Sequence, residues 1–327
     1  MNTINGRENL LKIFKHEKPD RFPMPADTCV MRFPGDQSET AEPGNDWWGC
    51  AWVTQPFIGK MNDESVPCVV DDIYSWREKM VVPDPYTMCD WEQVAKAGSA
   101  HWDRENQMGT IIVFEGHFER MHCLMGIEEA LCAFYDEDAE DEIKGMFAAI
   151  TEYKIKCLNI IKEYYNPDCV IYHDDWGTDR SMFFNPALWH KYIKPELKKI
   201  VDECHRLGMF FEMHSCGHIQ EVIGALVEEV GIDSIQTLQY PQNDIRYIKK
   251  NWGGRLVIRG GYNDRVIMAK DATDEDIIAA VHDSIEVLAP GGNHIPYFYN
   301  MIGQGWEHAV SVFYSEVKKY EQEHGCC

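Results

Sequence analysis

The feature that most restricts the fold is an alternation. Short apolar runs end in polar residues, and a helix-like pattern follows each. Gly109–Glu115 ends at Glu115, with His117 just beyond; Cys169–Asp175 ends at Asp174 and Asp175; Met209–His214 leads into Cys216, Gly217 and His218. Asp233–Leu238, Arg255–Gly260 and Asn293–Tyr299 complete the set of strand-like runs. Helical periodicity covers Ile127–Tyr135, Asp141–Tyr165, Asn185 to about Leu207, 218–230, Asp244–Trp252, Thr273–Leu288 and Gln304–Glu323. Strand then helix, repeated every 25–50 residues or so, predicts a parallel sheet. Polar residues at the C-terminal ends of such strands converge on one mouth of a (β/α)8 barrel. The expected class is therefore α/β, a TIM-like (β/α)8 barrel, and 327 residues suit one domain of that kind. A doubly wound sheet is the alternative, but no G-x-G-x-x-G or P-loop string follows a strand.

The N-terminal part reads differently. Thr3–His16 predicts an amphipathic helix, stopped by Lys18-Pro-Asp-Arg-Phe-Pro23. Residues 24–70 are rich in Pro, Gly, Asp and aromatics, including Trp47, Trp48 and Trp52. Linkers lack tryptophan clusters, so this is read as an ordered insertion, extending to residue 85, over the barrel mouth. Asp71–Pro85 has the look of a short sheet or hairpin, and a polar helix is read around Asp90–Ala97. Thr273 with Asp276 three residues on reads as a capping arrangement for the helix it begins.

Charge and cysteine usage narrow the function. A formal net charge of −23 disfavours nucleic acid and anionic membrane surfaces as partners. The N-terminal segment has no apolar core of a signal peptide, and no apolar run spans a bilayer. Twelve scattered cysteines without a small-scaffold spacing read as reduced thiols, so a cytoplasmic location is expected. A homo-oligomer stays open.

The stretch that carries chemistry is Met209–Ile219, MFFEMHSCGHI. Residues two apart on a strand face the same side, so His214 and Cys216 aim an imidazole and a thiolate at one point, with Glu212 in the same parity. An N/S pair suits zinc. Asp174, Asp175 and Glu115 are candidate acid–base groups. Trp176, His117 and Tyr297 are candidate substrate contacts, since aromatic walls favour a ring-bearing ligand.

Several segments resemble the uroporphyrinogen decarboxylase superfamily, in family order. These are EKPDRFP near the start, FEGHFERMHCLMGIEEAL at 114–131, HDDWGTDRSMFFNPALWHKYIKPELKKIVDECHRLG at 173–208 and MHSCGHI at 213–219. GIDSIQTLQ at 231–239, LVIRGGYND at 256–264 and APGGNHIPY at 289–297 follow. Within the superfamily the chain looks like the corrinoid-dependent methyltransferases. True porphyrinogen decarboxylases carry an early Arg-rich string; here that region has only Arg32, which disfavours porphyrinogen decarboxylation. Members that methylate a thiol resemble His-x-Cys with a late Cys after the final Gly-Gly. Here Gly291-Gly292 is followed by NHIPYFYNMIG, without cysteine. His294 is the first candidate for the third ligand, and Glu212, Asp174 and Glu115 are chemically able.

The resemblance implies an O-demethylase component: zinc-assisted transfer of a methyl group from a methoxylated, aromatic small molecule to cob(I)alamin. The chain has no D-x-H-x-x-G corrinoid signature, so the corrinoid is expected on a partner protein that docks at the mouth. The alternative implied by the superfamily is decarboxylation of an acidic ring substrate.

Overall fold

The computed structural model describes residues 5–37, 43–55, 59–298 and 306–327. Strand β1 (Thr28–Arg32) opens the main sheet. Strands β2 (Gly44–Asn45), β3 (Ala51–Gln55) and β4 (Gly59–Asn62) form a small antiparallel sheet. Strands β5 (Met108–Val113), β6 (Cys169–His173), β7 (Phe210–Ser215), β8 (Ser234–Thr237), β9 (Val257–Gly260) and β10 (His294–Ile295) return to the main sheet. Its order is β1-β5-β6-β7-β8-β9-β10, and every pairing is parallel. Thr28 and Val30 of β1 and Ile295 of β10, at opposite ends of that order, line one cavity, so the sheet curls around a lumen. This is the TIM-like α/β barrel, with seven strands among the described residues.

The strands form because they are continuous apolar runs. Ile111, Val170, Phe211, Ile235 and Ile258 are fully buried, as expected where helices cover the outer face of a parallel sheet. The helices Glu140–Ile160 and Lys194–Arg206 supply much of that cover, through Ile143, Phe147, Ile150, Leu197 and Val201. The capping box at Thr273 is present: its side chain accepts from the Asp276 amide, and the Asp276 carboxylate accepts from the Thr273 amide.

Three expectations are corrected. Thr28–Arg32, read as part of the insertion, is the first barrel strand; its period-two burial was masked by the Pro- and Gly-rich residues around it. Asp71–Pro85 holds a short 3-10 turn at Ile73–Ser75 and a helical turn at Trp76–Lys79 in place of a hairpin, because the Asp72 side chain accepts from the Tyr74 amide and caps it. The last strand is two residues long, and Tyr299, the end of the run read as a strand, lies outside the described residues.

The insertion sits at the C-terminal end of β5. Asp46 takes a 2.7 Å bond from Arg120 Nη1, and Asp36 pairs with Lys154 at 2.9 Å. Lys154 Nζ also donates to the Phe114 carbonyl just beyond β5. Trp48 packs edge-on to Tyr153, and Trp52 donates its indole N–H to Asp46. Trp48 thus anchors the insertion to the barrel, and Trp52 braces Asp46, the carboxylate that holds Arg120. No helix among the described residues is long and apolar enough to cross a membrane.

Candidate metal centre and barrel cavity

Register builds the site. His173 on β6 pairs with His214 on β7, His214 with Gln236 on β8, Gln236 with Arg259 on β9, and Arg259 with Ile295 on β10. Residues in register on neighbouring parallel strands face the same side. A row of imidazole, imidazole, amide and guanidinium therefore runs around the wall of the lumen.

The two imidazoles stack, with ring centroids 4.2 Å apart and an interplanar angle of 13°. Each ring is held through Nδ1: His173 by Glu119 Oε2 at 2.9 Å, and His214 by Gln236 Oε1 at 2.8 Å. With Nδ1–H donating to an oxygen, Nε2 is the nitrogen left for a metal: His214 is neutral and keeps its Nε2 lone pair, while His173, held protonated by its carboxylates, would give up its Nε2 proton to the ion. Asp175 Oδ1 lies 3.8 Å from His214 Nε2 and is fixed by the Cys216 amide at 2.7 Å. One donor atom each from His173, Asp175 and His214 lies within 4.8 Å of the others. Cys216 Sγ is 3.5 Å from His214 Nε2. Two nitrogens and a carboxylate oxygen beside a sulfur are a donor set that fits zinc.

Two glycines allow the β6 and β7 loops to touch. A Cβ on Gly177 would meet the His218 amide at 2.5 Å, and one on Gly217 would meet the Gly177 carbonyl carbon at 2.3 Å. Gly217 also has φ +76, a conformation glycine adopts at little cost. This close backbone approach brings Asp175 beside Cys216.

The electrostatics are those of a buried, carboxylate-rich pocket. Burial alone would lower the His173 pKa, but Glu119 and Asp175 outweigh it and hold it up, at about 10. Burial, followed by the charge on His173, holds His214 down at about 4. Burial would raise Asp175, yet His173 and His214 keep it below the usual carboxylate range. Burial and then Asp175 push the Cys216 thiol well up, so this sulfur is a thiol unless a cation draws off its proton.

The sequence candidates divide. His214, Cys216 and Asp175 come together. Tyr297 lines the lumen cavity. His294 does not join the cluster: Ile295 faces the lumen, so its neighbour faces outward, between Phe22 and Tyr262, with Nε2 on the Gly260 carbonyl at 3.2 Å. Asp174, of opposite parity to His173 and Asp175, points behind the sheet. It accepts the amides of Phe118 at 3.3 Å and Glu119 at 2.9 Å, and burial raises it to about 7. His117 is fully buried on Thr151 Oγ1 at 2.9 Å. Trp176 is fully buried, edge-on to Trp189. Glu115 turns away at φ +55 and binds Gln37 Nε2 at 2.6 Å and Cys123 Sγ at 3.1 Å. Glu212 accepts from Arg259 Nε at 2.9 Å and Ser234 Oγ at 2.7 Å.

Sequence reasoning missed His173, Glu119, Gln236 as a ligand support, and Arg259. One signal was available for His173: His173-x-Asp175 repeats the spacing of His214-x-Cys216 on the strand before it.

The lumen holds a cavity of about 340 Å³. His173, His214, Gln236 and Arg259 form its polar side. Met24, Val30, Ile112, Phe114, Ile171 and Ile295 make most of the remainder apolar.

The sequence pattern of the family described as Uroporphyrinogen decarboxylase (URO-D) matches residues 61–299. The chain belongs to the uroporphyrinogen decarboxylase family. The solved structure of a methyltransferase from Methanosarcina mazei is similar to this family member, with a TM-score of 0.71 over 97% of this chain and 99% of that one, at 13% identity. That likeness is one of fold. A dihydropteroate synthase from Anaplasma phagocytophilum aligns over 58% of this chain and 71% of that one, at 14% identity and a TM-score of 0.36. No curated protein matches the sequence.

Proposed function

We propose that the protein is a metal-assisted methyltransferase, taking a methyl group from a small methoxylated donor and passing it to a corrinoid on a separate protein. The observation that carries this reading is the position of the His173–Asp175–His214 cluster, two of whose residues form one wall of a closed-in, mostly apolar cavity. A protein of the same fold is named a methyltransferase.

His173, Asp175 and His214 would hold the metal, with Cys216 adjacent. Bound zinc would supply a Lewis acid for the departing oxygen. The protein's own groups do the rest. Glu119 and Gln236 fix the ring planes, and the Cys216 amide fixes the Asp175 carboxylate. The apolar wall seats the body of the donor and excludes water, which strengthens charge stabilisation at the breaking bond. In the transfer the C–O bond breaks, the methyl carbon bonds to the reduced cobalt, and the electron pair stays on oxygen, which takes up a proton. At about 340 Å³ the cavity is near the low end of ligand-pocket volumes, the size of a one-ring donor and not of a macrocycle. The corrinoid carrier therefore approaches from the mouth.

Purified protein is loaded with zinc and incubated with cob(I)alamin and a panel of methoxylated aromatics. Methylcobalamin, followed by its absorbance, is the expected product, and metal removal should abolish it. Release of CO2 from acidic ring compounds without methyl transfer, unaffected by His214→Ala, would favour the decarboxylase reading instead.

A further inference from the structure

The cavity wall contains one Lys or Arg among the described residues, Arg259, and nothing in the proposed chemistry uses it. Its position is built. Nε donates to Glu212 Oε2 at 2.9 Å, and Ser234 Oγ holds the same carboxylate oxygen at 2.7 Å. Both Arg259 and Glu212 are buried. With Nε spent on Glu212, the terminal nitrogens of the fork are those within reach of a ligand. Tyr314 shares this end of the cavity. One strand, β8, lies between those of Arg259 and His214, so their backbones are two strand spacings or about 10 Å apart, and side chains from both ends shorten the gap to the length of one substituted ring. Gln236 lies between them, and the wall opposite is largely apolar. A guanidinium fork presented this way matches a carboxylate.

We propose that Arg259 is the carboxylate subsite of this cavity, so that the methyl donor is a small monocarboxylate with an apolar body: acid at Arg259, methyl group at the His173–Asp175–His214 end. This rests on the methyltransferase reading for the direction of the donor, but its test does not. Glu212 is a positioning residue that holds the fork.

The test is binding, measured by calorimetry without corrinoid, on zinc-loaded and chelator-treated protein. The probes are 4-methoxybenzoate, its neutral amide 4-methoxybenzamide, and 2-methoxybenzoate. The acid should bind about 10- to 100-fold more tightly than the amide, as expected for a charge-assisted forked hydrogen bond. The para acid should bind more tightly than the ortho acid, which cannot span the two ends. Arg259→Gln should bring the acid-to-amide ratio near one. Arg259→Lys, which keeps a cation against Glu212, should lower it several-fold, and it serves where the Gln variant does not fold. Equal binding of acid and amide, or a ratio unchanged in either folded variant, overturns the proposal. Acid preference that depends on Arg259, without methyl transfer from any donor, leaves the subsite standing and overturns the activity. Methyl transfer with no acid preference does the reverse.

Discussion

His173 and His214 stand in register on neighbouring strands, their rings stacked 4.2 Å apart and each pinned through Nδ1 by a different buried side chain. Such stacking places two ring nitrogens side by side on one wall. Packing alone does not require that each ring also be held through Nδ1, so that Nε2 is the nitrogen left for a metal. The pins at Glu119 and Gln236 are what distinguish a ligand pair from two core histidines.

The pins give the first prediction. Glu119→Gln and Gln236→Ala should each weaken zinc binding by about 10- to 100-fold, the usual effect of losing an outer-sphere partner. His214→Ala should leave purified protein without stoichiometric zinc. Competition with a chromogenic chelator gives the affinities, and elemental analysis the stoichiometry. Full zinc content in His214→Ala would place the metal elsewhere.

A second prediction separates His294 from the cluster. His294→Phe should leave zinc content unchanged. It should also alter acid stability. Burial, then Lys249, holds the folded pKa of His294 at about 3, below the ordinary 6.5. Below pH 6.5 the unfolded chain takes up a proton that the folded chain refuses. Stability from this group is therefore complete above pH 6.5 and is lost as pH falls toward 3. Between pH 6.5 and 4 the loss is on the order of 3 kcal/mol. Urea midpoints at those two pH values should fall less in His294→Phe than in the wild type. A parallel fall in both proteins would mean that His294 is not buried neutral.

The barrel was legible because strand ends and helix starts punctuate it at regular intervals, and because the curl of a parallel sheet brings those ends together. His214 and Cys216 were legible from parity on one strand. Their partners were not, since His173, Gln236 and Arg259 join the site through register between strands, which one sequence does not display. Asp174 misled for the same reason. Two adjacent acids at a strand end look alike in sequence, yet alternation sends them to opposite faces. The tryptophans of the insertion, read as the mark of an ordered segment, are buried at Trp48 and Trp52, while Trp176, read as a substrate contact, is buried away from the cavity, whose wall is made from aliphatic side chains, Phe114, Tyr297 and others.

The insertion itself supplies a third prediction. Arg120 is fully buried between Asp46 and Asp36, with its Nη2 also donating to the Asp36 carbonyl at 2.6 Å. Arg120→Met leaves the buried Asp46 carboxylate without its cation, while Asp36 keeps Lys154, a change that costs about 3–5 kcal/mol. The expected result is a large drop in the urea midpoint with early proteolysis within residues 43–62. A midpoint within experimental error of the wild type would show that the insertion does not depend on this ion cluster.

The neighbours Asp174 and Asp175 should respond oppositely. Asp174 takes two amide bonds at the start of the helix His117–Met125, the helix that carries Glu119 to His173. Asp174→Ala should cost about 1–2 kcal/mol, as for a lost helix cap, with zinc retained and the shape of the pH–rate profile unchanged. Asp175→Ala removes one of the three gathered donors and should cost little stability while losing zinc and methyl transfer together. Denaturation midpoints and zinc content on the two variants decide the assignment. Zinc lost from Asp174→Ala and kept in Asp175→Ala would mean that the wrong carboxylate had been placed in the site, because a strand's alternation allows only one of the two to face the lumen.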